Sequence, residues 1–111
     1  NKLTEIVGAI TGWDFSLLEL LEVGERAMAM GREYNRRCGQ TPADDAGPGR
    51  FFEPLGNGPL KGDAVDREKF RQALDLYYEM QGWDRATGAP HDWKLYALGL
   101  DWIVDQRKAG R

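Results

Sequence analysis

With 111 residues, 41% of them hydrophobic and 11% aromatic, the chain is long enough for one folded domain and not two, and its composition argues against disorder. The net charge of −3 is spread over mixed acidic and basic residues, so the basic stripe that nucleic acid requires is missing. No apolar run approaches the roughly 18 residues of a membrane span and no signal peptide opens the chain, while a single cysteine excludes an internal disulfide framework and fits a reducing, cytoplasmic compartment. Opening at Asn1 rather than at methionine, the sequence reads as a trimmed or excerpted segment.

Leu3, Ile6, Val7 and Ile10 recur at helical spacing and predict a short amphipathic helix over 2–11, ended by Gly12. Ser16 and Glu19 then make a capping box for a longer helix from about Leu17 to Cys38, stopped at Gly39. Glu22 with Arg26 and Glu33 with Arg37 are i,i+4 pairs in the favourable orientation, and Glu25-Arg26 reads as a helical ion pair used in packing or docking. The apolar face of this helix carries Leu17, Leu21, Met28 and Tyr34 together with Gly24, Ala27 and Gly31. Each interior glycine costs about 1 kcal/mol relative to alanine, so a second backbone is expected to pack closely on Gly24 and Gly31, with ligand atoms as the alternative occupant.

Residues 39–64 hold six glycines and four prolines and are expected to form no regular element. Their Phe51, Phe52, Leu55 and Leu60 prefer a surface to lie on, so the stretch reads as a strap. It is expected partly to wrap its own helices and partly to drape over a neighbouring domain. Asp66 caps a third helix from about Arg67 to Gln81 with Phe70, Ala73, Leu74 and Tyr77 as its buried stripe, and Gly82 ends it. Pro90 forbids helix at Ala89, after which His91 or Asp92 caps a short helix. Trp83, Trp93 and Trp102 read as core and helix-packing residues, and a last helix over Asp101–Arg107 frays at its end. The fold class is all-α, four or five helices and a long Gly/Pro-rich strap in one domain, 1–111.

A search for chemistry comes back nearly empty. His91 is the only histidine, lies at a helix start, and alone makes no metal site. Cys38 sits beside Arg36 and Arg37, which favour a thiolate, but it lacks a partner base or a second thiol. Asp44-Asp45 reads as turn and cap residues rather than a carboxylate pair. The glycines at 47–49 and 56–58 lack the lysine and hydroxyl of a nucleotide loop, and Ser16, the only serine, is used as a cap. No catalytic, cofactor-binding or metal-binding residue is assigned.

Four blocks nevertheless have a wording that local physics does not require. They are Val23-Gly24-Glu25-Arg26 with Tyr34-Asn35-Arg36-Arg37, Ala43-Asp44-Asp45 with Pro48-Gly49-Arg50-Phe51-Phe52, Lys61-Gly62, and YYEMQGWDRATGAPHDWKLYALGL from Tyr77 to Leu100. In this order they resemble the GER and FN-x-R-x-G, DD-x-LP-x-RFF and GWD to LGL signatures near the carboxy terminus of tungsten-dependent aldehyde ferredoxin oxidoreductases, with Gly47 where a leucine is usual. The resemblance implies a parent enzyme that oxidises aldehydes to carboxylic acids and passes electrons to ferredoxin. Its tungsten, held by two pterin dithiolenes, lies beside a four-iron cluster. The cysteine and D-x-x-GL-C motifs that hold those groups in the family do not occur here, so this segment is expected to bind no cofactor, to wall the buried cofactor and substrate channel, and to be inactive alone. Its expected partners are the remainder of the parent enzyme and, through it, ferredoxin, with self-association when isolated. The alternatives are a free-standing helical interaction module and a subunit of a split enzyme.

Overall fold

A computed structural model describes residues 2–110. Helix α1 covers Lys2–Thr11, α2 Leu17–Arg37, α3 Arg67–Gln81, α4 Asp92–Ala97 and α5 Asp101–Ala109, with no strand among the described residues. The all-α expectation holds, and the helices begin and end where local chemistry places them. Ser16 Oγ accepts the Glu19 N–H at 3.2 Å while the Glu19 carboxylate accepts the Ser16 N–H at 2.7 Å, closing the capping box of α2. The Asp66 carboxylate accepts the Lys69 N–H at 2.8 Å at the start of α3. Gly82 leaves α3 with φ of 69°, where an added Cβ would also lie 2.9 Å from the Trp93 ring. At α4 the expected cap differs: His91 holds the N-cap backbone position without a capping side chain, its ring stacked on Trp93, and Asp92 is drawn to Arg107 instead. α5 runs two residues beyond the expected Arg107, to Ala109, and Arg111 lies outside the described residues.

The core is small. Leu95, Leu98, Leu100, Ile103 and Val104 come from the α4–α5 hairpin and close on Ala29 of α2, while Tyr78 and Trp83 are buried outside that cluster, edge-on to each other. Gly99, with φ of 67°, makes the turn that lets Leu98 and Leu100 both point inward. Of the three tryptophans expected to pack, Trp83, Trp93 and Trp102, only Trp83 is a core residue; Trp93 and Trp102 are 60% and 49% exposed.

Two expected faces are turned around. α2 buries Ala29, Arg32 and Glu33, whereas Leu17, Leu21, Met28 and Tyr34 are exposed. Among the described residues nothing approaches within 4 Å of a Cβ added at Gly24 or Gly31, so no described backbone packs on either glycine. The reason is positional: the elements that reach α2 arrive on its charged side, where Arg26, Arg32 and Glu33 find partners. α3 likewise buries Tyr78 while Ala73 and Tyr77 stay exposed and Phe70 and Leu74 are half-buried, because its cover is limited to the strap and Trp83.

The strap is more ordered than its composition implies. Pro42–Asp45 and Gly49–Phe52 are short 3₁₀ turns, which corrects the expectation of no regular element. Phe52 packs edge-on to Phe70 of α3 at 5.4 Å, tying the base of the strap to its own helices. Its tip closes on itself through Leu55 N–H to the Asp63 carbonyl and Gly62 N–H to the Leu55 carbonyl. The extents of 51 × 45 × 21 Å and a radius of gyration of 18.5 Å describe a plate, where a compact domain of this length has about 13 Å. No helix among the described residues is long and apolar enough to cross a membrane.

Candidate functional site

Two ion networks form where three of the four sequence blocks meet, Lys61-Gly62 lying apart in the strap tip. In the first, Arg32 of α2 is almost fully buried. Its Nε donates to the Gly88 carbonyl at 2.8 Å, its Nη2 to the Tyr78 hydroxyl at 2.6 Å, and the same Nη2 lies 2.7 Å from the Asp45 carboxylate. Tyr78 in turn donates to Asp45. The guanidinium lies 4.7 Å from the centre of the Trp83 ring and 5.2 Å from that of Tyr78, a cation–π arrangement. One side chain thus joins α2, the Asp44-Asp45 turn, the Tyr77-Tyr78 helix, the Gly82-Trp83-Asp84 turn and the Gly88-Ala89-Pro90 loop. Asp44 behaves as a turn residue, its carboxylate accepting the Thr41 N–H at 2.7 Å; Asp45 does more than the sequence suggested.

In the second network Glu33, also buried, accepts from Arg36 and Arg37 on its own helix at 3.0 Å each and from Arg107 of α5 at 2.6 Å. Arg107 also donates to the Pro90 carbonyl at 3.0 Å and to Asp92 at 2.9 Å, so the turn before α4 is held from α5. The Glu33–Arg37 pair expected from sequence is present. Arg26, expected to pair with Glu22, donates instead to the Leu98 carbonyl at 2.8 Å, and Glu25 meets Lys94 at 2.6 Å. Adjacent residues on a helix do not face each other, so Glu25 and Arg26 dock α4 separately rather than pairing together.

Titration argues for bracing rather than proton transfer. Burial pushes the Glu33 carboxyl up, but hydrogen bonds from Arg36, Arg107 and Arg37 outweigh it and bring it to about 2. Burial also opposes ionisation of Asp45, and Arg32 with Tyr78 overcomes it, leaving that carboxyl below its ordinary range. Burial and the hydrogen bond to Asp45 push the Tyr78 phenol up to about 12. A general acid or base working near neutral pH needs a pKa close to it, and these groups are moved the other way.

The candidates singled out in the sequence stay apart from both networks. Cys38 is the exposed C-cap of α2, and His91 stacks on Trp93. Among the described residues no three His, Cys, Asp or Glu side chains converge as a metal ion would require. A four-iron cluster takes four thiolates and this chain has one cysteine, so its donor set does not fit the cluster that the resemblance implies. Arg32, Glu33, Tyr78 and Arg107 were not singled out as a site. Their one sequence signal is that Arg26, Ala29, Arg32 or Glu33, and Arg36 recur at helical spacing, a pattern that reads as a solvated face.

The fold and these networks define an all-α domain held by two buried ion networks. The family profile described as aldehyde ferredoxin oxidoreductase, domains 2 and 3, matches residues 1–100. The chain is 37% identical over 103 residues to the tungsten-containing aldehyde ferredoxin oxidoreductase of Pyrococcus horikoshii, covering 91% of this chain and 16% of that protein. It is 37% identical over 98 residues to the enzyme of the same description from Pyrococcus furiosus, covering 86% and 16%. Similarity also extends, at 33% over 106 residues, to the aliphatic sulfonate oxidoreductase, WOR-like subunit, of Pyrococcus furiosus, covering 90% and 17%. The chain belongs to the aldehyde ferredoxin oxidoreductase family, and it spans about a sixth of the length of these curated relatives.

Proposed function

We propose that this chain is the carboxy-terminal helical domain of a tungsten and iron–sulfur oxidoreductase that converts an aldehyde to a carboxylic acid and delivers the electrons to ferredoxin. The domain walls one side of the cofactor chamber and substrate channel and carries no catalysis of its own. The metal groups perform the redox chemistry when bound, and residues outside this chain hold them. What this chain supplies is shape: its two ion networks hold α2, the strap base and the α4–α5 hairpin as one rigid wall.

The observation that carries the reading is the uncovered apolar surface. Ile6, Ile10 and Trp13, the Leu17–Leu21–Met28 face of α2, and Phe51, Leu55 and Leu60 of the strap are all exposed. The strap residues line a groove of about 520 Å³ whose walls are chiefly apolar. Surfaces of this extent mark places where another body packs.

The test is isolation of the native protein through a tag at its end. Expected is a polypeptide of the relatives' full length with tungsten and a stoichiometric four-iron cluster, oxidising aldehydes with ferredoxin as acceptor. A metal-free protein of this chain's own length would instead identify a free-standing interaction module. A short chain co-purifying with a separate metal-bearing subunit would identify a split enzyme.

A further inference from the structure

We propose that the cleft between the end of α2 and α5 is a binding site for a small oxyanion, a phosphate or carboxylate group carried by a small molecule. The proposal stands apart from the oxidoreductase reading and rests on how charge is shared around Glu33. That one carboxylate is met by three guanidinium groups, and Asp92 offsets only Arg107, on the far side. A positive excess therefore remains at Arg36 and Arg37, in a chain whose net charge is −3.

Both side chains are already fixed in place. Arg36 makes two bonds of 3.0 Å to Glu33; Arg37 holds Glu33 at 3.0 Å through Nε and the Gln106 amide oxygen at 2.8 Å through Nη1. Their remaining nitrogens, Nη1 of Arg36 and Nη2 of Arg37, have no protein acceptor among the described residues. Arg36, Arg37, Gln106, Arg107 and Thr87 line an open cavity of about 450 Å³, within the size range of small-molecule sites. Guanidinium groups match the oxygens of phosphate and carboxylate in pairs, and groups held in place beforehand lose little entropy when an anion arrives.

The chain would be titrated at low ionic strength, at a dilution where light scattering shows a monomer, with inorganic phosphate and, separately, with succinate, following the side-chain Nε–H signals of Arg36 and Arg37 by NMR. Expected is saturable one-to-one binding that moves those signals. Tighter binding of phosphate assigns a phosphoryl ligand, and tighter binding of succinate a carboxylate. Replacing both arginines, Arg36→Gln with Arg37→Gln, should weaken binding at least about tenfold, because it removes the charge-assisted hydrogen bonds that hold the anion. Should circular dichroism show that this variant does not fold, Gln106→Glu serves in its place. It leaves Arg36, Arg107 and Glu33 untouched and sets a competing carboxylate beside Arg37, so binding should fall while the thermal midpoint holds or rises. Linear, unsaturable shifts with both anions, or affinity unchanged in the variants, would overturn the proposal.

Discussion

Arg32 is the side chain on which distant parts of the sequence depend most. Its guanidinium holds Asp45, Tyr78 and the Gly88 carbonyl together; a Cβ at Gly88 would clash with Arg32 Nη2, and the φ of 69° there favours glycine in any case. Replacing Asp45 with Asn leaves a buried cation without its counter-charge, and Asp45→Asn is expected to destabilise the chain by about 3 kcal/mol. For a core this small that is a large share of the total, and the denaturant midpoint should fall accordingly, with the slope unchanged. Asp45→Glu, if it restored the midpoint, would show that charge rather than shape is what matters. The pH dependence follows from Glu33 and Tyr78. Glu33 falls from 4.5 to about 2 on folding, so its contribution is complete above pH 4.5 and is lost as pH drops towards 2. Tyr78 rises from 10.0 to about 12, so its contribution is complete below pH 10 and is lost as pH climbs towards 12. The denaturant midpoint should therefore be flat through neutrality and fall at both extremes. A decline already under way at pH 6 would mean that another group controls stability.

At the scale of single elements, α2 is the one whose sequence and surroundings disagree. Gly24 and Gly31 weaken a helix that has open space at both positions. In the isolated chain Gly24→Ala and Gly31→Ala are each expected to raise stability by about 1 kcal/mol, read from the thermal or denaturant midpoint. In the proposed full-length enzyme the same changes should lower stability, because a methyl group would meet the body that packs there. Opposite signs in the two settings would locate that contact on this face of α2. Stabilisation in both would mean that the glycines face solvent throughout.

At the scale of the molecule, a plate with a radius of gyration of 18.5 Å buries too little to be comfortable alone. The isolated chain is expected to self-associate at high concentration and to bind a hydrophobic dye strongly, both measurable by light scattering and fluorescence. Scattering at dilution should return a radius near 18.5 Å for the monomer. A clean monomer at high concentration that leaves the dye unbound would count against the role of wall to a larger enzyme.

Local chemistry by itself determined the helices. The Ser16–Glu19 box, the Asp66 cap and the glycines at 39 and 82 act over three or four residues, and each boundary lies within that reach. The wording of the four blocks, likewise visible in the chain alone, was enough to place it in its family. Only the tertiary structure decided which side of α2 faces inward. Arg32 meets Tyr78 across 46 residues and Glu33 meets Arg107 across 74, so the charged face earns burial from partners that no helical period announces. The apolar face is the mirror of that outcome. Hydrophobic periodicity says that a surface wants cover, not that the same chain provides it, and here Leu17, Leu21 and Met28 are left facing outward because no element among the described residues covers them.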